Sequence, residues 1–200
     1  MSKQQRIVII GGTACGPKTA ARARRCDPHA QITIVEQGNN VSSGTCGFPY
    51  YISCVIKKRS SLLVRGPDYF KDVMNIDVLL KTRAQKIDRR AHTVEVINLK
   101  TEQTSTLNYD KLVLATGSSP FVPDFEGGKL RGIFTLNTIE DAAEIKKYIA
   151  KNKIRESVII GAGFIGLEVA EAFAMLGIKV EISRRVLRFN RILTPPIRLR

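Results

Sequence analysis

One cysteine lies in a segment whose residues favour reactivity. Cys46 sits within Val41–Tyr51, VSSGTCGFPYY, between Gly44 and Gly47 and directly before a proline-started aromatic run. This arrangement predicts a thiol at a helix start, where free backbone N–H groups and the helix dipole stabilise a thiolate. Cys46 is therefore a candidate reactive cysteine. The alternative, a cysteine packed as a small apolar residue, stays open at this point.

The remaining cysteines give no sign of a shared site. Cys15, Cys26 and Cys54 form no C-x-x-C pair of the kind that holds metals, and no secretory context favours a disulfide framework. We treat each cysteine individually and predict no metal site.

Composition limits the class of protein. The 200 residues are 44% hydrophobic, which is enough for a buried core in one domain or two small ones. No apolar run approaches the roughly 20 residues of a membrane span, and the N-terminus enters a strand-like run directly. These features predict a cytoplasmic protein with no membrane interaction.

The formal charge of +14 would ordinarily indicate a polyanionic partner. Six arginines and no acidic residue follow Ser183, so this end alone accounts for six of the fourteen net charges. The rest is spread over helix-like and loop stretches. We interpret it as a solvated basic face that can receive a phosphate-bearing ligand, and we predict no nucleic-acid partner.

The N-terminal sequence has the order strand, glycine turn, helix, strand. The predicted strands and helix are Arg6–Ile10, Pro17–Arg25 and Gln31–Glu36, and the turn contains Gly11, Gly12, Ala14 and Gly16. This order opens a dinucleotide-binding βαβ unit, whose helix start receives a pyrophosphate. Glu36 lies 25 positions after Gly11 and is the predicted ribose-binding acid. Thr13 stands where the G-x-G-x-x-G pattern has its second glycine.

A second glycine motif matches the pattern fully. Gly161, Gly163 and Gly166 follow a predicted strand at Ser157–Ile160 and open a predicted helix at Phe164–Leu176. Gly177 is the expected helix terminator, and Lys179–Ile182 is the next predicted strand. The sequence thus predicts a second nucleotide-binding unit, the alternative being a tight packing turn.

Between these units the pattern changes. Short β-like runs occur at Val78–Leu80, Ala84–Ile87, Thr93–Leu99 and Thr104–Leu107. Because they lack helix-length spacers, they predict an antiparallel meander inserted into the first unit. A buried strand at Lys111–Ala115 then ends in a turn at Thr116 and Gly117. A short helix is predicted at Pro67–Met74, and a further helix is predicted at Thr138–Ala150 with Thr138 as N-cap.

These motifs together resemble the flavin- and pyridine-nucleotide-dependent disulfide oxidoreductases, from Arg6 to about Ile182. The matching parts are the two glycine turns, the A-T-G-x-x-P turn at Ala115–Pro120 and the cysteine loop, in that family's order. The pattern S-x-x-x-C-G-x-P-Y from Ser42 resembles the single-cysteine branch, which includes coenzyme A-disulfide reductases, persulfide reductases, NADH oxidases and NADH peroxidases. Oxidases and peroxidases place a histidine at the position of Ala14, so its absence favours the reductases.

The resemblance implies an α/β fold: an FAD-binding Rossmann-like domain with an antiparallel β insertion at 1–120, a connecting segment at 121–153 and an incomplete NAD(P)-binding Rossmann-like domain at 154–200. It implies that NAD(P)H reduces FAD, and that Cys46 carries electrons to a small-molecule disulfide or persulfide such as coenzyme A disulfide. Cys54 is predicted to take no part. A full-length relative is expected to be a homodimer.

The resemblance also assigns residues to ligands. The implied FAD-binding residues are Gly11, Gly12, Ala14, Gly16, Glu36, Gln37, Ser43, Gln85, Ala115, Thr116 and Gly117. The implied NAD(P)-binding residues are Gly161, Gly163, Phe164, Ile165, Gly166 and Glu168. Arg22, Ser42 and Lys71 are the implied substrate-binding residues, with phosphates of coenzyme A as their ligand.

The stretch Arg184–Arg200 differs from the rest, because it has no acidic residue and contains Pro195 and Pro196. We expect an altered or out-of-frame terminus, with a basic tail as the alternative. Read as native, Arg184 would favour the 2′-phosphate of NADP. Other functions left open are an NADH oxidase or peroxidase, an inactive nucleotide-binding fragment and a basic module that binds polyanions.

Overall fold

The computed structural model describes residues 4–125, 127–183 and 197–198, the last two by their backbone. The chain divides into two compact units, the first within Met1–Gly44 and Leu63–Ser118 and the second within Thr45–Leu62 and Ser119–Arg200. The predictions for Arg184 and for most of the stretch that follows it lie outside the described residues. None of the helices among these described residues has the length and apolar character that a membrane-spanning helix needs.

A four-stranded parallel sheet forms the centre of the first unit. Its strands are β1 (Arg6–Ile10), β2 (Gln31–Val35), β3 (Ile76–Leu79) and β7 (Lys111–Leu114), in the order β3-β2-β1-β7. Helix α1 (Cys15–Cys26) connects β1 to β2. All neighbours run parallel, which explains why β1 and β2 read as continuous apolar runs: both of their faces are buried.

The two faces of this sheet pack against different partners. Ile9 and Ile34 belong to a core cluster that includes Ala20 of α1, while Val8 and Val35 belong to a second cluster with Val94. Successive strand residues point to opposite faces, so adjacent residues enter different clusters. The helix covers one face and the antiparallel insertion covers the other.

The inserted strands are β4 (Thr82–Asp88), β5 (Thr93–Asn98) and β6 (Thr104–Asn108), which form an antiparallel sheet in chain order. The predicted insertion is therefore confirmed. The assignment of Val78–Leu80 to it was wrong, because Val78 and Leu79 belong to β3 and pair parallel with β2. The strand predicted as buried at Lys111–Ala115 is half exposed, with Leu114 63% accessible.

Among its described residues, the second unit has three α-helices: α2 (Phe48–Ile52), α3 (Ile139–Asn152) and α4 (Phe164–Met175). Thr138 caps α3 as predicted, since its hydroxyl accepts the Asp141 N–H at 3.1 Å and the Asp141 carboxylate accepts the Thr138 N–H at 2.8 Å. Helix α2 packs against both α3 and α4.

The second unit also contains a small sheet. Its strands β8 (Glu156–Ile160) and β9 (Lys179–Ser183) are parallel, and β10 (Ile197–Arg198) pairs antiparallel with β9. Val180 and Ile182 are buried, whereas Val158 is 58% and Ile160 38% exposed. The strand and helix predicted around the second glycine motif are thus present, with one sheet face more accessible than the other.

The predicted helix at Pro67–Met74 is a π-helical turn over Tyr69–Val73. Arg24 of α1 holds the chain just beyond this turn. Its Nε donates to the Met74 carbonyl at 2.9 Å, Nη1 donates to the Pro28 carbonyl at 2.7 Å, and Nη2 donates to the Asn75 carbonyl at 2.6 Å. One guanidinium therefore ties the end of α1 to the start of β3.

We expect Arg24→Met to destabilise the chain by about 1–2 kcal/mol, because several charge-assisted hydrogen bonds to partly exposed carbonyls are lost together. Denaturant unfolding measures the change. Arg25→Met is the matched control: Arg25 is the exposed neighbour on the same helix, and we expect its replacement to stay within about 0.5 kcal/mol. Equal effects of the two substitutions would contradict this role for Arg24.

Candidate nucleotide and thiol sites

In the first glycine turn, backbone segments lie in close contact with one another. Gly11 has φ +110°, a conformation that favours glycine, and its N–H donates to the Val35 carbonyl at 2.8 Å. A Cβ atom added at Gly16 would lie 1.8 Å from the Gly11 carbonyl oxygen. No side chain could be accommodated there, so the start of α1 lies directly on the turn.

The start of α1 has the features of an anion site. Within α1 and its N-cap Ala14, all of which are described, no side chain caps the helix and the first turn has no acidic residue. The free N–H groups of a helix start attract negative charge. Thr13, which replaces a glycine of the pattern, does not have a positive φ, so a β-branched residue fits there without backbone strain.

Glu36 lies at this turn. Its carboxylate accepts the Gly12 N–H and the Gly38 N–H, each at 2.6 Å. A Cβ at Gly12 would lie 2.9 Å from the Glu36 Cβ, so the two residues are in close contact. The structure thus places the predicted ribose-binding acid beside the predicted pyrophosphate turn, and its role stays a prediction.

Two further segments meet the same turn. The Ala115 N–H donates to the Ile10 carbonyl at 2.8 Å, and a Cβ at Gly11 would lie 2.0 Å from the Ala115 oxygen. The Ser42 N–H donates to the Gly12 carbonyl at 2.7 Å. The structure therefore brings together the glycine turn, the A-T-G turn and the serine that precedes the cysteine loop.

The other residues predicted to contact FAD are placed as follows. Gln37 is exposed between Glu36 and Gly38, and Ser43 forms an antiparallel bridge with Leu63. Thr116 is exposed and Gly117 has φ +68°. Gln85 falls at the break in register between Ala84 and Lys86 on β4. Such bulges free backbone groups from the ladder and are frequent beside binding sites.

The second glycine turn repeats the geometry of the first. Gly161 has φ +113° and donates its N–H to the Ser183 carbonyl at 2.8 Å. A Cβ at Gly166 would lie 2.1 Å from the Gly161 carbonyl oxygen. Helix α4, described throughout, also lacks a side-chain cap and a first-turn acid. Both turns therefore present an uncapped helix start above a close glycine contact.

Exposed residues surround this second turn. Phe164 is 89% and Ile165 62% accessible, and Glu168 is exposed one turn further along α4. A Cβ at Gly163 would meet no atom within 4 Å. The surface above the second turn is open and apolar at its rim.

Cys46 lies in a short 3₁₀ turn, Thr45–Gly47, that leads directly into α2. The cysteine is exposed and forms no disulfide. Cys46 thus precedes a helix, as predicted. Its exposure excludes the alternative of a packed cysteine. Because α2 has only five residues, any dipole effect at its start is small. Cys54 is also exposed, with φ +68°.

The predicted substrate residues occupy different settings in the first unit. Arg22 is exposed on α1, and Ser42 lies at the glycine turn with φ 59°. Lys71 forms an ion pair with Asp77 at 2.5 Å. The hydrogen bond from Lys71 to Asp77 raises the pKa of Lys71 above its ordinary value. An anion that binds Lys71 must therefore compete with this carboxylate.

Sequence reasoning missed two contacts. Gly38 donates to Glu36, a contact that the E-x-G spacing could have indicated. Lys146 of α3 donates to the Tyr51 carbonyl, and no local pattern indicates a contact across 95 positions.

Comparison with known proteins agrees with this geometry. The family model for pyridine nucleotide-disulphide oxidoreductases matches residues 5–199. The chain belongs to this family. The predicted family and the predicted α/β fold are therefore confirmed.

Three relatives illustrate the similarity. The NADH oxidase of Methanocaldococcus jannaschii is 35% identical over 175 residues, covering 88% of this chain and 39% of the relative. The coenzyme A disulfide reductase of Staphylococcus haemolyticus is 31% identical over 189 residues, covering 94% and 42%. The solved NAD-dependent persulfide reductase from A. fulgidus has a TM-score of 0.83 and 43% identity, covering 88% and 33%. The chain spans about two fifths of the curated relatives.

Gly163→Ala tests the second turn. Its φ of −80° and ψ of 177° are extended backbone that any residue adopts, and a Cβ there has open space. We expect unchanged thermal stability but about tenfold weaker NADH binding, because a methyl group obstructs the approach of a pyrophosphate. Calorimetric titration measures the affinity.

Two control variants accompany the Gly163→Ala measurement. Gly66→Ala also adds a methyl group in open space and should change neither stability nor affinity. Gly166→Ala should destabilise by about 2 kcal/mol or more, since its Cβ overlaps the Gly161 oxygen. Unaltered NADH affinity in Gly163→Ala would argue against a nucleotide at this turn.

Proposed function

We propose that the protein is an FAD-dependent NAD(P)H oxidoreductase that reduces a disulfide or persulfide at a single cysteine, Cys46. The observation that carries the proposal is the repeated turn: Gly11 with Gly16, and Gly161 with Gly166, form the same tight contact beneath an uncapped helix. Two such turns in one chain fit two dinucleotides, and an exposed cysteine before α2 supplies a thiol.

The first turn fits the FAD pyrophosphate, because its free N–H groups and missing side chains leave room for an anion. In the proposal, Glu36 binds the ribose and Gln85, through its main chain, the adenine. FAD, when bound, supplies the two-electron chemistry that links NAD(P)H to thiols. The remaining residues assigned to FAD are Gly12, Ala14, Gln37, Ser43, Ala115, Thr116 and Gly117.

The second turn fits NAD(P)H in the same way. Gly161, Gly163 and Gly166 would accept its pyrophosphate at the start of α4, and Phe164, Ile165 and Glu168 lie within reach of solvent around it. The choice between NADH and NADPH is left open, because Arg184 lies outside the described residues.

Cys46 carries the proposed chemical step. Its thiolate attacks one sulfur of the substrate disulfide, forms a mixed disulfide and releases the other sulfur as a thiolate. Two electrons from NAD(P)H and protons from solvent then return Cys46 to the thiolate and release the second thiol. The balance is one disulfide, one NAD(P)H and one proton consumed, with two thiols and NAD(P)⁺ formed. Cys54 takes no part.

Coenzyme A disulfide is the proposed substrate, on the name of the Staphylococcus haemolyticus relative, and a persulfide is its close alternative. Arg22, Ser42 and Lys71 would receive its phosphates. Lys71 already pairs with Asp77, so a phosphate would join or displace that carboxylate. We also propose a cytoplasmic homodimer for the whole protein.

Two other functions compete with this one. NADH oxidation is favoured by the name of the Methanocaldococcus jannaschii relative. Ala14 argues against it, because oxidases of this group place a histidine there. A nucleotide-binding chain without activity is the second, since this chain spans about two fifths of its relatives.

Cys46→Ser tests the proposal. The 200-residue chain is prepared with FAD and separated from unbound FAD, after which an absorption band at about 450 nm reports bound flavin. We expect the variant to keep this band and to lose coenzyme A disulfide reduction by about 1,000-fold, because the nucleophile is gone. NADH consumption with the disulfide measures turnover.

Cys54→Ser is the control and should keep full activity, since this exposed cysteine has no proposed role. Unchanged turnover in Cys46→Ser would refute the cysteine mechanism. NADH consumption that needs oxygen rather than disulfide would favour the oxidase. A chain without the flavin band would favour the inactive nucleotide-binding chain.

A further inference from the structure

Lys146 makes two contacts with the helix that follows Cys46. Its Nζ donates to the Tyr51 carbonyl at 2.7 Å and lies 4.0 Å from the centroid of the Tyr51 ring. Lys146 is partly buried on α3, and Tyr51 lies in α2, so both belong to the second unit. We call this pair of contacts the Tyr51 clamp.

Helix α2 depends on contacts with other elements for its stability. Five residues are too few to form a stable helix alone, because nucleation fixes several residues for each hydrogen bond gained. Phe48 and Ile52 are buried and supply apolar contact. Apolar burial is non-directional and does not by itself fix the orientation of a single turn. A charged donor on a backbone carbonyl does fix it.

A second polar link in the described part of the chain joins the segment after α2 to α3, and it is weaker than the clamp. Arg59, which follows α2 in a 3₁₀ turn at Arg59–Leu62, pairs with Glu140 at 2.7 Å, but their side chains are 49% and 45% exposed. Water and salt screen such a pair, so it contributes little. Lys146 is partly buried, so water and salt screen its contacts with Tyr51 less.

Lys146 itself is held in place. Ile145, the preceding residue, is buried, as are Ile139 and Ala142 on the same helix. The reciprocal cap between Thr138 and Asp141 fixes the start of α3. Helix α3 is thus a fixed support for the clamp.

We propose that Lys146 is a positioning residue for Cys46: through Tyr51, it holds α2 and therefore the turn in which the thiol lies. This inference rests on the proposed function, which assigns the chemistry to Cys46. Attack on a disulfide requires the three sulfur atoms to approach in line. A loosened α2 would leave Cys46 in that orientation for less of the time.

Backbone hydrogen exchange tests the clamp without any turnover. We expect Lys146→Met to speed exchange over residues 48–56 about tenfold, because a charge-assisted hydrogen bond and a cation–π contact are lost. Lys146→Arg should restore exchange to within about twofold, since a guanidinium can still donate to the carbonyl and stack on the ring. Lys147→Met, at the exposed neighbouring position, should change nothing.

Tyr51→Leu and the double variant Tyr51→Leu/Lys146→Met provide a second test of the clamp by hydrogen exchange. Removing the ring alone should give a smaller increase in exchange, and adding Lys146→Met to it should give less than the product of the two single effects. Similar exchange in wild type and Lys146→Met, or a rise that is as large in β1 and β2 as in α2, would overturn the clamp.

The effect on the thiol is measured with coenzyme A disulfide as the probe. Mass spectrometry resolves mixed-disulfide formation at Cys46 and at Cys26, an exposed cysteine at the far end of α1 in the first unit. We expect Lys146→Met to slow the reaction at Cys46 about fivefold and not at Cys26, with rescue by Lys146→Arg. An equal rate at Cys46 would overturn the positioning role.

The two hypotheses fail in different ways. If Cys46→Ser retains disulfide reduction, the proposed function is wrong, whatever the exchange data show. If Cys46→Ser is inactive while Lys146→Met leaves both exchange and the Cys46 rate unchanged, the proposed function stands and the positioning role is refuted.

Discussion

The contact between Gly16 and the Gly11 carbonyl is the constraint on which the first unit depends. It lets α1 begin directly on the turn, so the free N–H groups of the helix lie at the end of β1. The same turn receives the carbonyl of Ala115 and the N–H of Ser42. A side chain at Gly16 would separate all of these segments. Gly166 and Gly161 repeat the constraint in the second unit.

Coverage of the parallel sheet differs between the units. In the first, α1 packs on one face, and the inserted strand β5 packs on the other through Val94 and Val96. An antiparallel insertion therefore takes the place that a second helical layer has in many doubly wound folds. In the second unit, Val180 and Ile182 are buried while Val158 on the other face is exposed.

Cys46 belongs to the second unit rather than the first. The chain leaves the first unit after Gly44 and returns to it at Leu63. Between these points it forms α2, which packs on α3 and α4 and contacts Lys146. The segment that carries Cys46 is therefore supported by two helices that lie roughly 90 to 130 residues further along the chain.

The sequence alone predicted the features that depend on neighbouring residues. The bounds of β1, the cap of α3 at Thr138 and the positive φ of Gly177 follow from local apolar runs, local hydrogen bonds and the absence of a Cβ. Both glycine turns and the position of Cys46 before a helix could be predicted for the same reason, whereas the exposure of Cys46 came from the structure. Family membership followed from the order of these motifs.

Only the tertiary structure decided which strands pair and which side chains meet. Val78 has the same local pattern in a parallel sheet as in a meander, so its place in β3 depends on β2. The positions of Lys71 beside Asp77 and of Lys146 beside Tyr51 likewise result from packing. Local propensity fixes conformation along the chain, whereas contacts between distant residues depend on how the apolar faces are buried together.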